Sequence, residues 1–354
     1  MAKIVHVANF GRRPKGAFQH SVGHKISNGL TRNGHSVAQF SDRDVARAGS
    51  WIGHRKFGVK AANSELRDFC RAIEPEIMVL HHADVIRPET VASIRGDFPH
   101  LRVVQCNVDP MFEPDNVRRI TSKLDVVDAT LVTTAGDALA PLSRPDRLLG
   151  FLPNPVDFSI ETGRNHDRAN LPFDLFCACG NARQTRNTCG GDWYPDSLID
   201  VLEQGAPGLR MLLPGLRGAS NIAGAEYQKG LESAAMGLNL SRRNDFVLYS
   251  SDRIAQMAGN GMAILIDRAT GYNQLFSEDE FAFFSTIDEL VDQIGRMVRD
   301  PAGRQARASA GRSRYHALFN EQIVARYVVD VALGKLRESD YPWPTLFSHA
   351  AVAA

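Results

Sequence analysis

Short apolar runs alternate with longer amphipathic segments along most of the chain, and this alternation restricts the fold more than any other feature. In the first half we predict five strands: KIVHVA (3–8), SVAQF (36–40), EIMVLHH (76–82), LRVVQCN (101–107) and ATLVTT (129–134). Helical spacing lies between them, around 18–33, 63–74, 88–98 and 135–143. Near-continuous apolar strands joined by helices are typical of a parallel sheet covered on both faces. The sequence therefore predicts an α/β fold.

The same rhythm returns after a stretch rich in Pro, Asn, Asp and Gly at 152–172, which we interpret as an interdomain linker. Strands are predicted at 173–180, 209–215, 236–241, 246–250 and 262–267. Helices are predicted near 194–204, 223–235, 252–259, 287–300, 302–319 and 320–336. Within the first half, Asn63 is predicted to cap the helix that Pro75 ends.

A length of 354 residues suits two domains of ordinary size. We predict two tandem Rossmann-like, doubly wound parallel-sheet domains, 1–152 and 153–336, facing a central cleft where the carboxyl ends of both sheets bind ligands. The apolar stripe of the last helix predicts a crossover, with the tail 337–354 packing back on the first domain.

Composition excludes several classes of function. Lys and Arg total 41 against 40 Asp and Glu, so nothing global indicates nucleic acid. No window reaches the roughly 20 apolar residues of a membrane span, and the chain enters a strand at once, so we expect a cytoplasmic protein. The five cysteines are odd in number and scattered, which favours reduced, structural thiols. A metal site at Cys177, Cys179 and Cys189 would lack a proper second ligand pair, and none is predicted.

In the first domain, the connection after the first strand carries Gly11 and Arg12 in a glycine-bracketed basic loop. Such a loop approaches a ligand or is simply solvated; it is neither a dinucleotide fingerprint nor a P-loop. His20 and His24 lie four apart on the predicted helix and would share a face. Without an accompanying Glu they favour a base or hydroxyl contact, or hydrogen-bonded packing, over a metal site.

Further polar residues follow the third and fourth strands of this domain. His81 and His82 end one strand, and Asn107 and Asp109 follow the next. Asp109 suits a general base or an acceptor contact, or serves as a turn residue before Pro110. The candidate catalytic residues are therefore Asp109, His20 and His24, with an acceptor side formed by Gly11, Arg12, His81, His82 and Asn107.

The second domain places arginines after its strands, where guanidinium groups match phosphate oxygens. The helix predicted at 252–259 would add unpaired N–H groups and the positive end of its dipole. A polyanionic ligand such as a diphosphate is expected there. The residues assigned to it from position are Gly180, Arg183, Arg217, Ser241, Arg242, Arg243, Ser251 and Asp252.

These segments resemble the GT-B glycosyltransferases, in particular the bacterial family with a CgeB-like C-terminal domain. LPNPVD (152–157) looks like the turn that leads out of the N-terminal domain in that fold. The run SSDRIAQMAGNGMAILIDRATGYNQLFSEDE (250–280) looks like that family's arginine, helix, turn, strand and Glu-Leu-Phe segment, and 285–320 resembles the two helices after it.

The resemblance implies transfer of a hexosyl or related group from a nucleotide-diphosphate or nucleotide-monophosphate sugar, without a metal or other cofactor. Arg253 matches the family's arginine before the helix. Gln256 stands where Glu is frequent, and Asn273 and Gln274 stand where an acidic residue is frequent. Ribose binding is then expected at one of two later carboxylates, Glu278 or Glu280.

The expected acceptor is an oligosaccharide or lipid-linked saccharide of bacterial lipopolysaccharide or envelope polysaccharide synthesis, which leaves room for peripheral contact with the inner membrane. Two alternatives stay open. A sugar-nucleotide epimerase of similar fold would convert a donor without an acceptor. A non-catalytic nucleotide or sugar binding protein would keep affinity without turnover.

Overall fold

The computed structural model describes residues 1–11 and 20–347, and the chain divides into two compact units. The first unit holds residues 1–157 and 319 onward, and the second holds 158–318. The boundaries expected from the sequence lay at 152/153 and 336/337. The predicted Arg12 lies outside the described residues.

The described part of the first unit contains six strands, with five α-helices before the last crossover helix. Its strands are β1 (Lys3–Ala8), β2 (Ser36–Ser41), β3 (Ile77–His81), β4 (Arg102–Asn107), β5 (Ala129–Val132) and β6 (Leu148–Phe151). Its helices in this part are α1 (Val22–Arg32), α2 (Asp42–Ala48), α3 (Val59–Ile73), α4 (Pro88–Asp97) and α5 (Pro114–Thr121). The strands form one parallel sheet in the order β2-β1-β3-β4-β5-β6. All five residues of β3 are buried, as a strand covered on both faces requires.

The second unit repeats this winding with a smaller sheet. Its strands are β7 (Phe173–Phe176), β8 (Arg186–Thr188), β9 (Gly191–Trp193), β10 (Met211–Leu212), β11 (Ala234–Asn239), β12 (Ala263–Asp267) and β13 (Ala282–Phe284). Its helices are α6 (Pro195–Gly205), α7 (Gly224–Leu231), α8 (Arg253–Gly259), α9 (Ile287–Arg299) and α10 (Pro301–Phe319). The parallel sheet has the order β10-β7-β11-β12-β13, and β8 and β9 form a separate antiparallel hairpin. The predicted α/β fold with two parallel sheets is confirmed.

The last helix, α11 (Glu321–Ala332), packs on α1 in the first unit. A Cβ at Gly29 would lie 1.9 Å from the carbonyl oxygen of Glu321, so only glycine permits this approach. Arg32 joins the ends of the two helices, donating to Asp157 at 2.8 Å and to Glu321 at 2.6 Å. The tail continues along the edge strand β6, where the amide of Phe151 donates to Thr345 O at 2.9 Å.

Two of the sequence predictions of local structure are wrong, and a third is confirmed. Asn63 is no cap, because α3 begins at Val59 and the Asn63 amide donates to the carbonyls of Val59 and Val85, both at 2.7 Å. Residues 246–250 form no strand, since Leu248 has a φ of 58° and its amide donates to Thr270 O. The interdomain linker predicted at 152–172 contains the boundary between the two units, which falls after Asp157. Its residues are anchored on both sides, because Asp157 is fully buried in the first unit and Asn165 is buried in the second.

Candidate functional site

Both sheets have a topological switch point, the place where connections from two neighbouring strands leave in opposite directions. It lies between β1 and β3 in the first unit and between β7 and β11 in the second. The carboxyl ends of the strands at such a point form the usual ligand site of a doubly wound sheet. The side chains at the two switch points are therefore the candidates for ligand contact.

In the first unit, three histidines follow one another across the switch point. His6 on β1 and His81 at the end of β3 have ring centroids 6.2 Å apart, and His81 and His82 are 5.1 Å apart. His6 is further held by Ser27 of α1, with 2.7 Å between its Nδ1 and the hydroxyl. Burial lowers the pKa of His6 to about 3 and that of His81 well below its ordinary value. Both rings are neutral at pH 7.

His82 differs from its neighbours because its backbone is left-handed and its ring meets a carboxylate. Its φ is 58° and that of Ala83 is 44°, and such conformations in non-glycine residues concentrate at functional sites. Nδ1 of His82 lies 3.8 Å from Oδ2 of Asp109, which also contacts Arg119 at 3.3 Å. Burial lowers the pKa of His82, although Asp109 and Asp84 oppose the shift. A neutral imidazole beside a half-exposed carboxylate can accept a proton from a hydroxyl group.

The predicted pair His20 and His24 does not share a helix face. The helix α1 begins at Val22, so His20 lies before it and only His24 lies on it. The Nε2 of His24 lies 3.0 Å from the carbonyl oxygen of Phe10, and the two rings pack edge to face. His20 is buried. Its burial, and to a smaller extent the positive charge of Lys25, lowers the pKa of His20 to about 4.

Two other predicted acceptor-side residues shape the loops. Gly11 has a φ of 61°, a conformation that favours glycine at the point where β1 leaves the sheet. Asn107 is buried, donates to Asn116 at 2.8 Å and accepts from the amide of Asp109 at 2.9 Å. The Asn107 side chain thereby fixes the backbone that carries Asp109.

In the second unit, three arginines gather at the switch point between β7 and β11. Arg186 starts β8, is buried, and donates to Cys179 Sγ at 3.0 Å and to the carbonyls of Gln184 and Thr185. Burial lowers the pKa of Arg186; Cys179 opposes this, and the neighbouring charges of Arg253 and Arg242 lower it further. Arg253 is the first residue of α8 and donates to Leu240 O at 3.3 Å. These three guanidinium groups concentrate positive charge where a diphosphate was expected.

A buried carboxylate, Asp267 at the end of β12, holds the loops that carry these arginines. It accepts from the amide of Cys189 at 2.6 Å, from Asn244 at 3.0 Å and from Thr188 at 3.2 Å. Thr188 and Cys189 belong to the β8–β9 hairpin segment, and Asn244 belongs to the loop after β11. Ser241 in that loop also accepts from the amide of Asn187. One side chain thus ties the position of Arg186 to that of Arg242.

The start of α8 is tied to α7 through side chains. The Gln256 amide donates to Asp252 at 3.1 Å and accepts from the Tyr227 hydroxyl at 2.5 Å. Gln256 therefore has a packing role here, at the position where the resembled family frequently has Glu. Ser251 and Asp252 precede the helix and are partly exposed.

The remaining predicted donor residues are bonded mainly to their own neighbours. Arg217 pairs with Asp200 at 2.5 Å and Glu203 at 2.9 Å, and Arg243 pairs with Asp245. Glu278 pairs with Arg268 at 2.7 Å, and Glu280 accepts from the amide of Ser277 at 2.8 Å. Arg183 and Gly180 are exposed. The structure groups Arg242 and Arg253 with Arg186 and leaves the charge of Arg217 neutralised on α6.

Sequence reasoning gave His6 and Asp267 no place in the site, and it placed Arg186 only in the basic loop beside Arg183, without assigning it to the ligand. A signal existed for two of them, since Arg186 belongs to the basic loop after the first strand of its domain and Asp267 ends an apolar strand. Across residues 1–11 and 20–347, no group of three or more His, Cys, Asp and Glu side chains is arranged to hold a metal ion. No helix in these ranges has the length and apolar character of a membrane span.

Residues 174–330 match the protein family described as glycosyl transferase-like, which covers most of the second unit. No protein with a curated description matches the sequence. The chain therefore carries a glycosyltransferase-like domain, and the predicted class of enzyme is confirmed at this level. Membership of the CgeB-like subfamily stays a prediction.

Solved structures share the fold over nearly the whole chain. Sucrose-phosphate synthase from Thermosynechococcus elongatus has a TM-score of 0.64 at 12% identity, covering 94% of this chain and 98% of that one. Anabaena HepE in complex with UDP and glucose has 0.59 at 12% identity, covering 94% and 100%. AviGT4, a glycosyltransferase involved in avilamycin A biosynthesis, has 0.56 at 14% identity, covering 93% and 97%. At these identities the likeness shows the GT-B fold alone.

Proposed function

We propose that this protein transfers a sugar from a nucleotide-sugar donor, bound by the second unit, to a saccharide acceptor bound by the first. The acceptor we propose is an oligosaccharide or lipid-linked saccharide of bacterial lipopolysaccharide or envelope polysaccharide synthesis. The donor is a nucleotide-diphosphate or nucleotide-monophosphate sugar, and no metal or other cofactor takes part.

The grouping of Arg186, Arg242 and Arg253 at the second switch point carries this proposal. A guanidinium stays protonated at neutral pH and donates hydrogen bonds to phosphate oxygens, the contact proposed here for Arg242 and Arg253. Arg186 already donates to Cys179 and to the carbonyls of its own loop, so its part is to add positive charge beside the phosphates. Burial of Arg186 strengthens the case, since a charge held out of water attracts an anion more strongly than a solvated one. HepE, which shares this fold, was solved in complex with UDP and glucose, which supports a nucleotide-sugar donor for this chain.

In the proposed reaction, the bond between the anomeric carbon and the phosphate oxygen breaks while the acceptor oxygen bonds to that carbon. The arginines stabilise the negative charge that develops on the leaving phosphate. Asp109 and the neutral His82 are the groups of the first unit suited to take the proton of the acceptor hydroxyl. His20 and His24 remain further candidates for contact with the acceptor or the sugar.

The test is to titrate the purified protein with free nucleotides and then incubate it with nucleotide sugars and saccharide acceptors, following products by mass spectrometry. We expect affinity for one nucleotide class and a glycosylated product whose formation is unaffected by EDTA. Conversion of the donor without any acceptor would favour an epimerase instead. Nucleotide affinity without turnover across the panel would favour a binding protein.

A further inference from the structure

The connection between α2 and α3 in the first unit exposes large apolar side chains. Trp51 is 96% exposed, Phe57 is 67% exposed and Ile52 is 54% exposed. Three such residues within seven positions form a costly exposed patch, which usually marks a surface that meets a partner or a membrane. Elsewhere in the described chain the exposed large apolar residues, such as Phe158 and Tyr194, are far apart in sequence.

Two adjacent cations lie among these apolar residues, and both also line a cavity beside them. Arg55 and Lys56 lie between Ile52 and Phe57, and the exposed Lys60 follows. Arg55 and Lys56 also line a cavity of about 500 Å³ together with Arg118 and Arg119 of α5. Its two carboxylates are engaged, because Asp84 pairs with Arg43 and Arg55, and Asp115 pairs with Arg118. Positive charge is therefore in excess along this surface.

The patch lies at the same end of the first sheet as the candidate acceptor residues. The segment that carries it follows α2, which begins where β2 ends, and its Arg55 reaches Asp84 in the loop after β3. Arg119 lines the basic cavity and also contacts Asp109 at 3.3 Å. The cavity is thus continuous with the proposed acceptor side of this unit.

We infer that residues 51–57 dock the first unit on an anionic lipid bilayer, with the basic cavity receiving a lipid phosphate group. Trp and Phe bury their rings at the boundary of headgroups and acyl chains, while adjacent Lys and Arg contact anionic headgroups. This inference rests on the proposed function and extends it. A lipid-linked acceptor would reach the site at the bilayer surface.

The arrangement fits a bilayer better than a protein partner. Protein interfaces are enriched in Trp, Phe and Arg, but Lys is depleted there and charged residues are depleted at the apolar core. Here Arg55 and Lys56 stand directly between the apolar residues, so a protein covering Phe57 and Ile52 would have to bury or displace both charges. A bilayer accommodates them without burial, because long cationic side chains reach the headgroups while neighbouring rings insert.

The test measures binding of the full chain to vesicles, which needs no donor, acceptor or catalysis. Vesicles of phosphatidylcholine with phosphatidylglycerol should bind the protein and shift Trp emission to shorter wavelength, since Trp51 is one of three tryptophans and Trp343 is buried. Pure phosphatidylcholine should bind far more weakly, and added salt should release the protein. Inorganic phosphate alone should leave the Trp emission unchanged, which separates a bilayer from free phosphate.

Two variants and two matched controls sharpen the result. The double change Trp51→Ser and Phe57→Ser should weaken vesicle binding at least tenfold, because both apolar side chains are lost from the bilayer. Lys56→Ala with Lys60→Ala should weaken it by about fivefold per cation. The controls remove another exposed aromatic, Tyr194→Ser, which is 59% exposed, or two arginines of another basic groove, Arg296→Ala with Arg299→Ala. Neither control should change vesicle binding.

Equal binding to neutral and anionic vesicles, or equal losses in variants and controls, would overturn the inference. So would a lack of vesicle binding together with self-association that Trp51→Ser abolishes, which would assign the patch to a second copy of the chain. Sugar transfer without vesicle binding would leave the proposed function intact and remove only this inference. Vesicle binding without nucleotide affinity or sugar transfer would support this inference and remove the proposed function.

Discussion

The first unit lines the carboxyl edge of its sheet with histidines and carboxylates, whereas the second lines the same edge with arginines. Both sheets have the same winding, since in each the first strand lies between the second and the third parallel strand along the chain. The shared winding therefore creates a place for a ligand in each unit, and the side chains that follow the strands determine the chemistry there.

Burial acts differently on the two edges because the two side chains have different intrinsic pKa values. An imidazole loses its proton when buried, so His6 and His81 are neutral at pH 7. A guanidinium such as Arg186 keeps its proton even when burial lowers its pKa. The first edge is therefore suited to proton transfer and the second to holding an anion.

The largest expected effect separates these two roles at Asp109 and His82. If the first edge provides the base, Asp109→Asn or His82→Gln should lower turnover by about 10²–10⁴-fold and leave nucleotide affinity unchanged. Steady-state kinetics together with nucleotide titration measures both quantities. A rise only in the acceptor KM would show that these residues orient the acceptor and that the leaving phosphate itself takes the proton.

Removing charge from the second edge should produce the converse pattern. Arg242→Ala or Arg253→Ala should weaken nucleotide binding by about 1.5–3 kcal/mol, the range for hydrogen bonds to charged groups. Calorimetric titration measures this loss, and a thermal unfolding curve checks that each variant folds. Arg243→Ala should have a smaller effect than either, because Asp245 already neutralises Arg243. Unchanged nucleotide affinity in both Arg242→Ala and Arg253→Ala would contradict the assignment of anion binding to the second edge.

Acidification from pH 7 to 5 should destabilise the first unit more than the second. The lowered pKa values of His6 and His81 mean that the unfolded chain binds protons that the folded chain excludes, so stability is present above about pH 6.5 and falls below it. Each such histidine contributes about 2 kcal/mol over this interval. Hydrogen exchange of β1 and β3 against β7 and β11 at both pH values measures the difference.

One carboxylate in the first unit opposes this pH effect. Burial, with the repulsion of Asp84, raises the pKa of Asp42 to about 6, so protonation of Asp42 stabilises the folded state as the pH falls through 6. Its contribution over the same interval is about 1 kcal/mol in the opposite direction. Asp42→Asn should therefore make the acid loss of the first unit steeper. A shallower loss in that variant would contradict the assignment.

The smallest expected effect concerns Arg217, which the sequence placed in the donor site. Asp200 and Glu203 hold its guanidinium on the surface of α6. Arg217→Ala should therefore change nucleotide affinity by less than about twofold, as expected for an exposed, already neutralised charge. A loss as large as that of Arg253→Ala would extend the arginine cluster beyond the three residues at the switch point.

Periodicity predicted the parallel strands well, because a strand buried on both faces must be apolar throughout, as β3 and β12 are. It failed where contacts distant in sequence decide the backbone. FVLYS at 246–250 has the composition of a strand, yet Leu248 is left-handed because its amide bonds to Thr270. The short helix α2 and the β8–β9 hairpin were missed for the related reason that brief segments carry little periodic signal.

For the candidate site, the sequence indicated which ends of which strands matter but could not rank the side chains there. Arg217, Arg243 and Arg242 all follow strands, and their positions after the strands do not rank them. The distinction arises from carboxylates brought from α6 or from the following turn, which neutralise the first two. His20 and His24 likewise have helical spacing, yet α1 begins only at Val22.

By itself the sequence determined the class of this protein: an α/β chain with two parallel sheets and polar residues at the ends of their strands. It could do so because strand burial and helical spacing are properties of neighbouring residues, written every second or every fourth position. Only the tertiary structure decided that Arg186 joins Arg242 and Arg253, that Asp267 fixes their loops, and that His82 meets Asp109. Those contacts join residues from 23 to 79 positions apart, and their strength depends on burial, which no local pattern records.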